Sequence, residues 1–260
     1  SRTGEPAKII AAKQDVPPGT NKAVLTTGDG RHITLDSAVS GHILPAGGTQ
    51  VTDSAATLYY TGLAGIPEWH TLTTPRGGQY RLQLPDGSLV WLNAESSIHF
   101  PTAFTGNARK VEIMGEAYLE VAKDASKKFL VMAGRTASEV LGTHLNINSY
   151  EESNGIYVTL EEGSVNVKDT TNNNNILLRP GTQVVWKNDT FTLNENVSME
   201  EVLAWKNGWF YFKEAPIKDI MQQVSRWYNV DVRYGEKINY HFNADIERNV
   251  SVSKLLELLE

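Results

Sequence analysis

Turn signals recur along most of this chain, and the segments between them have the length of β-strands. Residue pairs typical of tight turns stand at 29–30, 86–87, 154–155, 162–163, 180–181 and 188–189. Most of them place Gly after Asp, Asn or Glu, and glycine and asparagine adopt the positive φ that hairpin turns require. Many short strands at this spacing predict a mainly β fold, which could be a multi-stranded β-sandwich, a barrel or a short β-solenoid.

The segments between the turns carry the strand pattern itself. The predicted strands are 24–26, 32–35, 80–84, 89–92, 111–121, 129–132, 145–149, 156–160, 164–168, 183–186 and 191–193. In the segment 111–121 apolar and polar residues alternate, and Gly115 interrupts the alternation as a possible β-bulge. We therefore predict one all-β domain over residues 21–198. Residues 1–20 contain several prolines and are predicted to form a linker before it.

Two local features allow more than one interpretation. The segment 29–35 resembles the segment 86–92, since each is an Asp-Gly turn followed by a strand that ends in Leu. The pair indicates either a duplicated β unit or the chance similarity of two hairpins. The run of four asparagines at 172–175 is typical of a hairpin tip, because asparagine tolerates left-handed backbone geometry. A glycosylated or sugar-binding loop is the other interpretation of that run.

After residue 198 the apolar spacing changes from that of strands to that of helices. Ser198 could cap a short helix that runs to Trp205, and a strand is predicted at 209–212. Pro216 suits the first turn of a helix, where its missing N–H costs nothing. The apolar residues that follow at helical spacing are Ile217, Ile220, Met221, Val224 and Trp227.

The last part of the chain completes a small α/β module. The alternating residues 230–234 and 240–246 predict two more strands, and Ser251 could cap a final helix. Residues 199–260 therefore predict a module with the order β-α-β-β-α. A final apolar helix with no strand after it leads us to expect that the module is incomplete at its C-terminal end.

Composition narrows the classes of partner. The net charge is −6 and the basic residues are scattered. Nucleic acid is therefore not expected as a partner, because phosphate binding needs clustered positive charge. The chain has no cysteine, which excludes disulfides, thiolate metal sites and cysteine nucleophiles. No segment approaches the roughly 18–20 apolar residues that span a bilayer, and no signal peptide is recognisable.

Motifs that carry chemistry are missing from the sequence. No two of the six histidines have the i,i+2 or i,i+4 spacing of a local zinc pair. The nucleophile elbow, the zinc-protease motif and the P-loop are also absent. We therefore expect no catalytic residue, no metal and no cofactor, and we predict that the chain is not an enzyme. Glu116 and Glu120 share a strand face and are predicted to be structural carboxylates facing solvent rather than a glycosidase pair.

The tryptophans carry the main alternative to protein binding. Five of the six are Trp91, Trp186, Trp205, Trp209 and Trp227, and most of these lie in apolar patterns that favour core or subdomain contacts. Exposed in a row, they could instead stack on sugars, so the alternative function is that of a carbohydrate-binding β module. Burial of Trp91, Trp186 and Trp227 would weaken this alternative.

An ordered set of short strings is more specific than any of these patterns. The strings are 74–80, 84–94, 96–97, 109–111, 115–122, 129–131, 140–143, 162–165, 180–181 and 226–230. Together they resemble the FecR family of anti-sigma factors, in the form common in Bacteroidetes, over about residues 20–260. The departures are small: Leu119 and Leu145 stand where the family often has phenylalanine, and Asn229 stands where it often has aspartate.

The resemblance implies a single-pass inner-membrane protein. Its cytoplasmic N-terminal region would hold an extracytoplasmic-function sigma factor, and its periplasmic region would read the state of a TonB-dependent outer-membrane transducer. This chain resembles the periplasmic region alone, so residues 1–20 would be a juxtamembrane linker. The membrane helix and the sigma-binding region are expected upstream. Residues 199–260 resemble the STN module that secretins and TonB-dependent transducers share.

The resemblance also suggests where a partner could bind. The signalling domain of the transducer would dock by adding a strand to an exposed edge of the C-terminal module. One candidate edge is formed by Trp209, Phe210, Tyr211 and Phe212, and the other includes Tyr240 and Phe242. Docking would then change the exposure of the linker at residues 1–20.

Overall fold

The chain folds into a large β-sandwich followed by a small α/β module. The computed structural model describes residues 15–36, 41–46, 49–61, 66–172, 174–235 and 240–259. Numbered along the chain, the strands of the sandwich are β1 (Thr20–Asn21), β2 (Ala23–Thr26), β3 (His32–Leu35), β4 (Gly41–Ala46), β5 (Thr49–Ser54), β6 (Thr57–Thr61), β7 (Trp69–Thr74), β8 (Gly78–Gln83), β9 (Leu89–Leu92), β10 (Ser96–Pro101), β11 (Arg109–Met114), β12 (Glu116–Glu120), β13 (Phe129–Ala133), β14 (Thr136–Val140), β15 (His144–Asn148), β16 (Ile156–Glu162), β17 (Val165–Asp169), β18 (Asn175–Leu178), β19 (Gln183–Lys187) and β20 (Thr190–Asn194). The module contains α1 (Met199–Leu203), β21 (Trp209–Pro216), α2 (Ile217–Tyr228), β22 (His241–Glu247) and α3 (Val252–Leu258). The predicted fold class is therefore confirmed.

The strands of the sandwich form two sheets. Sheet I has the order β20-β19-β16-β15-β12-β9-β8-β6-β5-β4, with β1 beside β8, and sheet II has the order β18-β17-β14-β13-β11-β10-β7-β2-β3. From β8 onward the chain alternates between the sheets. It adds β8 and β9 to sheet I, β10 and β11 to sheet II, β12 to sheet I, and continues in this way to β20. The result is a two-layer sandwich whose strands advance as in a short solenoid.

The hydrophobic core lies between the two sheets. Leu82 and Leu160 from sheet I and Leu25, Leu72 and Val131 from sheet II are fully buried in one cluster. Alternate residues of each strand point inward, as the pleat of a β-strand requires. Strand β11 shows the pattern most clearly, since its buried and exposed residues alternate along its whole length. Burial of one face of a strand in this way fixes its register.

Gly115 marks a crossing from sheet II to sheet I. Strand β11 ends at Met114 and β12 begins at Glu116, and Gly115 between them has a φ of +80°. A Cβ atom at this position would lie 2.5 Å from Ser96 Oγ and 2.7 Å from the Glu95 carbonyl oxygen. The glycine is therefore a crossing point between the two layers, and the predicted bulge within one strand is wrong.

Several strands have no counterpart among the predicted ones, namely β1, β4 to β7, β10, β14 and β18. In β5, β6, β7, β10 and β14 polar residues occupy some of the inward positions, and this hides the period of two. In β14 the buried positions are held by Thr136, Ser138 and Val140. The Thr136 hydroxyl is buried but hydrogen-bonded, since it donates to the Ala133 carbonyl oxygen at 3.0 Å. Apolar alternation alone cannot reveal such a strand.

Two turn predictions are confirmed. The similar segments 29–35 and 86–92 both form hairpins, in which Gly30 N donates to the Thr27 carbonyl and Gly87 N to the Leu84 carbonyl, each at 2.9 Å. The first hairpin belongs to sheet II and the second to sheet I. The asparagine run lies at the tip between β17 and β18, and Asn173 falls outside the described residues.

In the module, helix α2 packs on the two-stranded antiparallel sheet of β21 and β22. Its buried residues include Ile220, Val224 and Trp227 from the predicted apolar stripe. Ser198 caps α1, since its side chain accepts a hydrogen bond from Glu201 N at 3.2 Å. Pro216 is the last residue of β21 and immediately precedes α2. Among the described residues no helix is long and apolar enough to cross a membrane.

The strand predicted at 230–234 does not form. These residues run without regular structure, and residues 236–239 lie outside the described part of the chain. A strand needs a neighbour to complete its hydrogen-bond ladder, and no described strand pairs with this segment. The Val230 carbonyl instead accepts hydrogen bonds from Arg76 Nη2 and the Ser225 hydroxyl, at 2.5 and 2.7 Å.

Candidate functional site

The six residues predicted to bind a partner divide into two groups, with different exposure. Along β21, Trp209 is 42% exposed and Tyr211 is half-buried, whereas Phe210 and Phe212 are 2% and 3% exposed. The strand therefore presents Trp209 and Tyr211 on its outer face. The rings of Phe210 and Phe212 stack at 5.8 Å in the module core.

The second candidate edge divides in the same way. Tyr240 is 68% exposed just before β22, and its carbonyl oxygen accepts a hydrogen bond from Ile217 N at 3.0 Å. Phe242 is half-buried and packs against the module core. The structure thus places Trp209, Tyr211 and Tyr240 where a partner could touch them. Phe210, Phe212 and Phe242 support the sheet from inside.

The outer face of the sheet combines aromatic rings with negative charge. Glu247 stands opposite Trp209 in the strand pairing, and Asp245 stands opposite Tyr211. The nearby Glu200 of α1 is the main cause of the raised pKa of the Tyr211 hydroxyl, with burial, Asp245 and Glu201 adding to it. A carboxylate beside a phenol disfavours the phenolate, which carries the same charge.

The backbone of this sheet is available for further pairing. Within the described part of the chain, β21 and β22 pair with each other and with no other strand. A two-stranded sheet has two outer edges with unpaired N–H and C=O groups, and such edges accept an added strand. Among the described residues no further strand covers either predicted edge, and the two edges belong to one sheet.

A buried arginine fastens the module to the sandwich. Arg248 follows β22 and is 4% exposed. Its guanidinium donates to the Trp205 carbonyl oxygen at 2.8 Å and to Asn93 Oδ1 at 3.0 Å, and it lies 3.8 Å from the centre of the Trp227 ring. Burial lowers the pKa of Arg248 to about 10, while the charge of Glu116 acts in the opposite direction. The side chain therefore remains charged at neutral pH.

The polar network around Arg248 continues into sheet I. The Glu116 carboxylate accepts hydrogen bonds from Asn93 Nδ2 at 2.8 Å and from Asn146 Nδ2 at 3.1 Å. Asn146 Oδ1 in turn accepts from Trp205 Nε1 at 3.1 Å. The prediction that Glu116 faces solvent is wrong, because the segment after α1 and the module cover this face of sheet I. We call Arg248, Glu116, Asn93, Asn146 and Trp205 the joint.

Two further arginines cross the same boundary. Arg76 Nη2 of the sandwich donates to the Ser225 carbonyl oxygen at 3.0 Å. Arg76 Nη1 lies 3.2 Å from the Asp231 carboxylate. Arg226 of α2 pairs with Glu152 and lies 3.9 Å from the centre of the Tyr150 ring. Both arginines stand in strings that carry the family resemblance, 74–80 and 226–230, but nothing in those strings indicates that they contact each other's part of the molecule. Their role depends on contacts between residues that are far apart in the chain.

The tryptophans do not form a sugar platform. Trp227 is buried, and Trp91 and Trp186 are half-buried beneath the charged groups of Arg81 and Arg135. The exposed Trp69, which sequence reasoning left aside, stacks on His99 at 4.7 Å in sheet II. It belongs to the sandwich, whereas the exposed Trp209 belongs to the module. The part of the chain that the structure describes also contains no group of three or more acidic or histidine side chains that could hold a metal ion.

Comparison with known proteins agrees with this architecture. The family model described as FecR protein matches residues 70–166, and the model described as FecR, C-terminal, matches residues 209–260. The chain belongs to the FecR family. The two matches together cover more than half of it, one within the sandwich and one over the module.

Two solved structures resemble this FecR-family chain. Both are crystal structures of a candidate anti-sigma factor from Parabacteroides distasonis ATCC 8503. The first, at 1.65 Å resolution, is 28% identical, has a TM-score of 0.65, and the match covers 72% of this chain and 88% of the other. The second, at 2.50 Å resolution, is 27% identical, has a TM-score of 0.65, and the match covers 73% and 89%. No curated protein matches the chain.

Proposed function

We propose that this chain is the periplasmic signal-relay region of an anti-sigma factor anchored in the inner membrane. It receives a signal from a TonB-dependent outer-membrane transducer and controls an extracytoplasmic-function sigma factor through a region outside this chain. Membership of the FecR family supports a regulatory role. The observation that carries the proposal is a small module with an open sheet, joined to a large sandwich by a buried polar network. Such a module can receive a partner and pass the effect to the rest of the molecule.

The outer side of the β21–β22 sheet is the proposed docking site. An added strand would pair with the backbone at one open edge, and this backbone pairing supplies affinity without requiring a particular sequence. Specificity would come from the exposed rings of Trp209, Tyr211 and Tyr240, since aromatic side chains often dominate the energy of protein interfaces. Phe210, Phe212 and Phe242 would hold the sheet in shape from its buried side.

Binding of the transducer's signalling domain tests the proposal directly. Calorimetry with the two folded proteins should give a dissociation constant in the micromolar range or below. A micromolar constant corresponds to a binding free energy of about −8 kcal/mol. Replacing Trp209→Ala should weaken binding about tenfold, because an interface tryptophan contributes well over 1 kcal/mol.

Trp69→Ala is the matched control, since Trp69 is 40% exposed and Trp209 is 42% exposed. This control should bind like the unchanged chain. Complete absence of binding, with both proteins folded, would refute the proposed function. Equal loss of affinity in the two variants would refute the proposed docking site.

A further inference from the structure

The described part of the predicted linker is attached to the module. Asp15 Oδ1 accepts hydrogen bonds from the backbone N and the hydroxyl of Ser253, at 3.1 and 2.5 Å. The Val16 carbonyl oxygen accepts from Val252 N at 3.0 Å, and the Val16 side chain packs against the module core. The hydroxyls of Ser251 and Ser253 are the main reason why the pKa of Asp15 is lowered to about 2. The carboxylate is therefore charged at neutral pH and holds the start of α3.

The same segment touches the tryptophan that the joint holds. Gly19 lies against the Trp227 indole, and a Cβ atom on this glycine would be 2.6 Å from the ring. Trp227 is fixed from the other side, since its Nε1 donates to the Arg248 carbonyl oxygen at 2.8 Å and its ring lies beneath the Arg248 guanidinium. A displacement of Trp227 would therefore affect both the joint and the N-terminal segment.

The segment then enters sheet I. Thr20 N donates to the Gly77 carbonyl oxygen at 2.9 Å, and β1 pairs in parallel with the start of β8. Gly77 N donates to the carbonyl oxygen of Arg226 in α2 at 2.7 Å, so the pairing occurs at the boundary between sandwich and module. Both residues of β1 are exposed, and Pro17 and Pro18, which stand before Gly19, have no N–H to donate. So short and exposed an element opens at low cost.

We propose that residues 15–21 form a clasp that couples the N-terminal segment to the position of the module. The clasp is closed when α3 and Trp227 hold their places, and it opens when either moves. Opening would change the exposure of the chain immediately before the sandwich. In the signal relay, which rests on the proposed function, docking of the transducer on the module would open the clasp.

Hydrogen exchange of the chain alone tests the coupling. Asp15→Asn removes the charge that holds Ser253 and should raise amide exchange about tenfold in the peptides covering 16–22 and 252–259, since charge-assisted bonds are the stronger ones. Ser253→Ala removes the hydroxyl partner and should act in the same direction. Unchanged exchange in the sandwich peptides shows that the variants are folded.

Asp124→Asn is the matched control for the clasp. Asp124 is an aspartate of the sandwich that accepts bonds from the backbone N and the hydroxyl of Ser126, at 2.9 and 2.6 Å, much as Asp15 does from Ser253. This control should leave exchange at 16–22 unchanged. The clasp is refuted if residues 16–22 of the unchanged chain already exchange like an unstructured peptide. It is equally refuted if Asp15→Asn affects its own peptide and leaves 252–259 unchanged.

The transducer's signalling domain tests the relay. Saturating binding should speed exchange at 16–22, and Asp15→Asn should tighten binding several-fold, because coupling between two sites is reciprocal. Binding that leaves clasp exchange unchanged refutes the relay while the proposed function stands. Absence of binding refutes the proposed function. Hydrogen exchange of the Asp15→Asn chain then still tests whether the clasp exists, because that measurement needs no partner.

Discussion

At the scale of single residues, Gly115 shows how one position sets the path of the chain. Its backbone turns from β11 into β12 at a φ of +80°, in contact with Ser96 and Glu95. The sequence marks this position only as a glycine within an alternating segment. A bulge and a crossing between sheets need the same residue type, because both need a left-handed backbone and close approach.

Gly115→Ala should therefore destabilise the sandwich by about 1–3 kcal/mol, through strain at positive φ and contact with Ser96. Urea unfolding followed by circular dichroism measures this change. Gly106→Ala is the control, since the nearest atom to its added Cβ would be 3.9 Å away. The control should change stability by less than about 0.5 kcal/mol. Equal stability of the two variants would show that the crossing does not depend on glycine.

Glu116 shows the limit of residue-level reasoning. Its spacing from Glu120 places both on one face of β12, and this part of the prediction is correct. Whether that face meets water or protein depends on the module, whose elements begin some 80 residues later. Glu120 is half-buried and lies 3.5 Å from Lys206 in the same covering segment.

At the scale of elements, β21 carries the candidate site through its alternation. One side of the strand builds the module core with Phe210 and Phe212, and the other presents Trp209 and Tyr211. All four residues are aromatic, so the sequence predicts a strand but does not indicate which face of that strand is exposed. The packing of α2 on one face decides the matter.

Phe210→Ala and Trp209→Ala should therefore differ in their effect on the stability of the chain. Phe210→Ala removes a buried ring and should cost about 3–5 kcal/mol. Trp209→Ala removes a largely exposed ring and should cost less than about 1 kcal/mol. Urea unfolding compares the two, with Phe212→Ala as a second buried position. The division into inner and outer residues fails if Trp209→Ala destabilises the chain as much as Phe210→Ala.

At the scale of the whole molecule, the joint makes the sandwich and the module depend on each other. Arg248, Asn93, Glu116, Asn146 and Trp205 lie far apart in the sequence, yet they form one continuous hydrogen-bonded group. Buried polar groups are costly unless all their partners are present. Separation of the two parts would expose or orphan several of them at once. We therefore expect the chain to unfold in one cooperative transition.

Arg248→Met should break this cooperativity. The change removes the charged donor of Asn93 Oδ1 and of the Trp205 carbonyl, which keep only the backbone donors Ala94 N and Gly208 N, and it should cost about 3 kcal/mol. Native-state hydrogen exchange should then show the module peptides opening at a lower urea concentration than the sandwich peptides. Arg179→Met, at an exposed position of the sandwich, is the control and should keep one transition. A single transition in Arg248→Met would show that other contacts hold the module.

The sequence by itself determined the class of fold, most of the strands after residue 80, the helices of the module and the family. These properties depend on local patterns: turn pairs, period-two alternation, helical stripes and short ordered strings. The strands β5 to β7, β10 and β14 escaped prediction because polar residues occupy some of their inward positions. The absence of a strand at 230–234 also lay beyond local pattern, since pairing requires a neighbour.

Only the tertiary structure decided which face of β21 is open, that Glu116 is buried, and that Arg248 joins the module to the sandwich. It also placed Asp15 against Ser253 and Gly19 against Trp227, which turned part of a predicted linker into the proposed clasp. The physical reason is the same in each case. Burial and buried hydrogen bonds are properties of surfaces that meet, and those surfaces come from segments up to 238 residues apart.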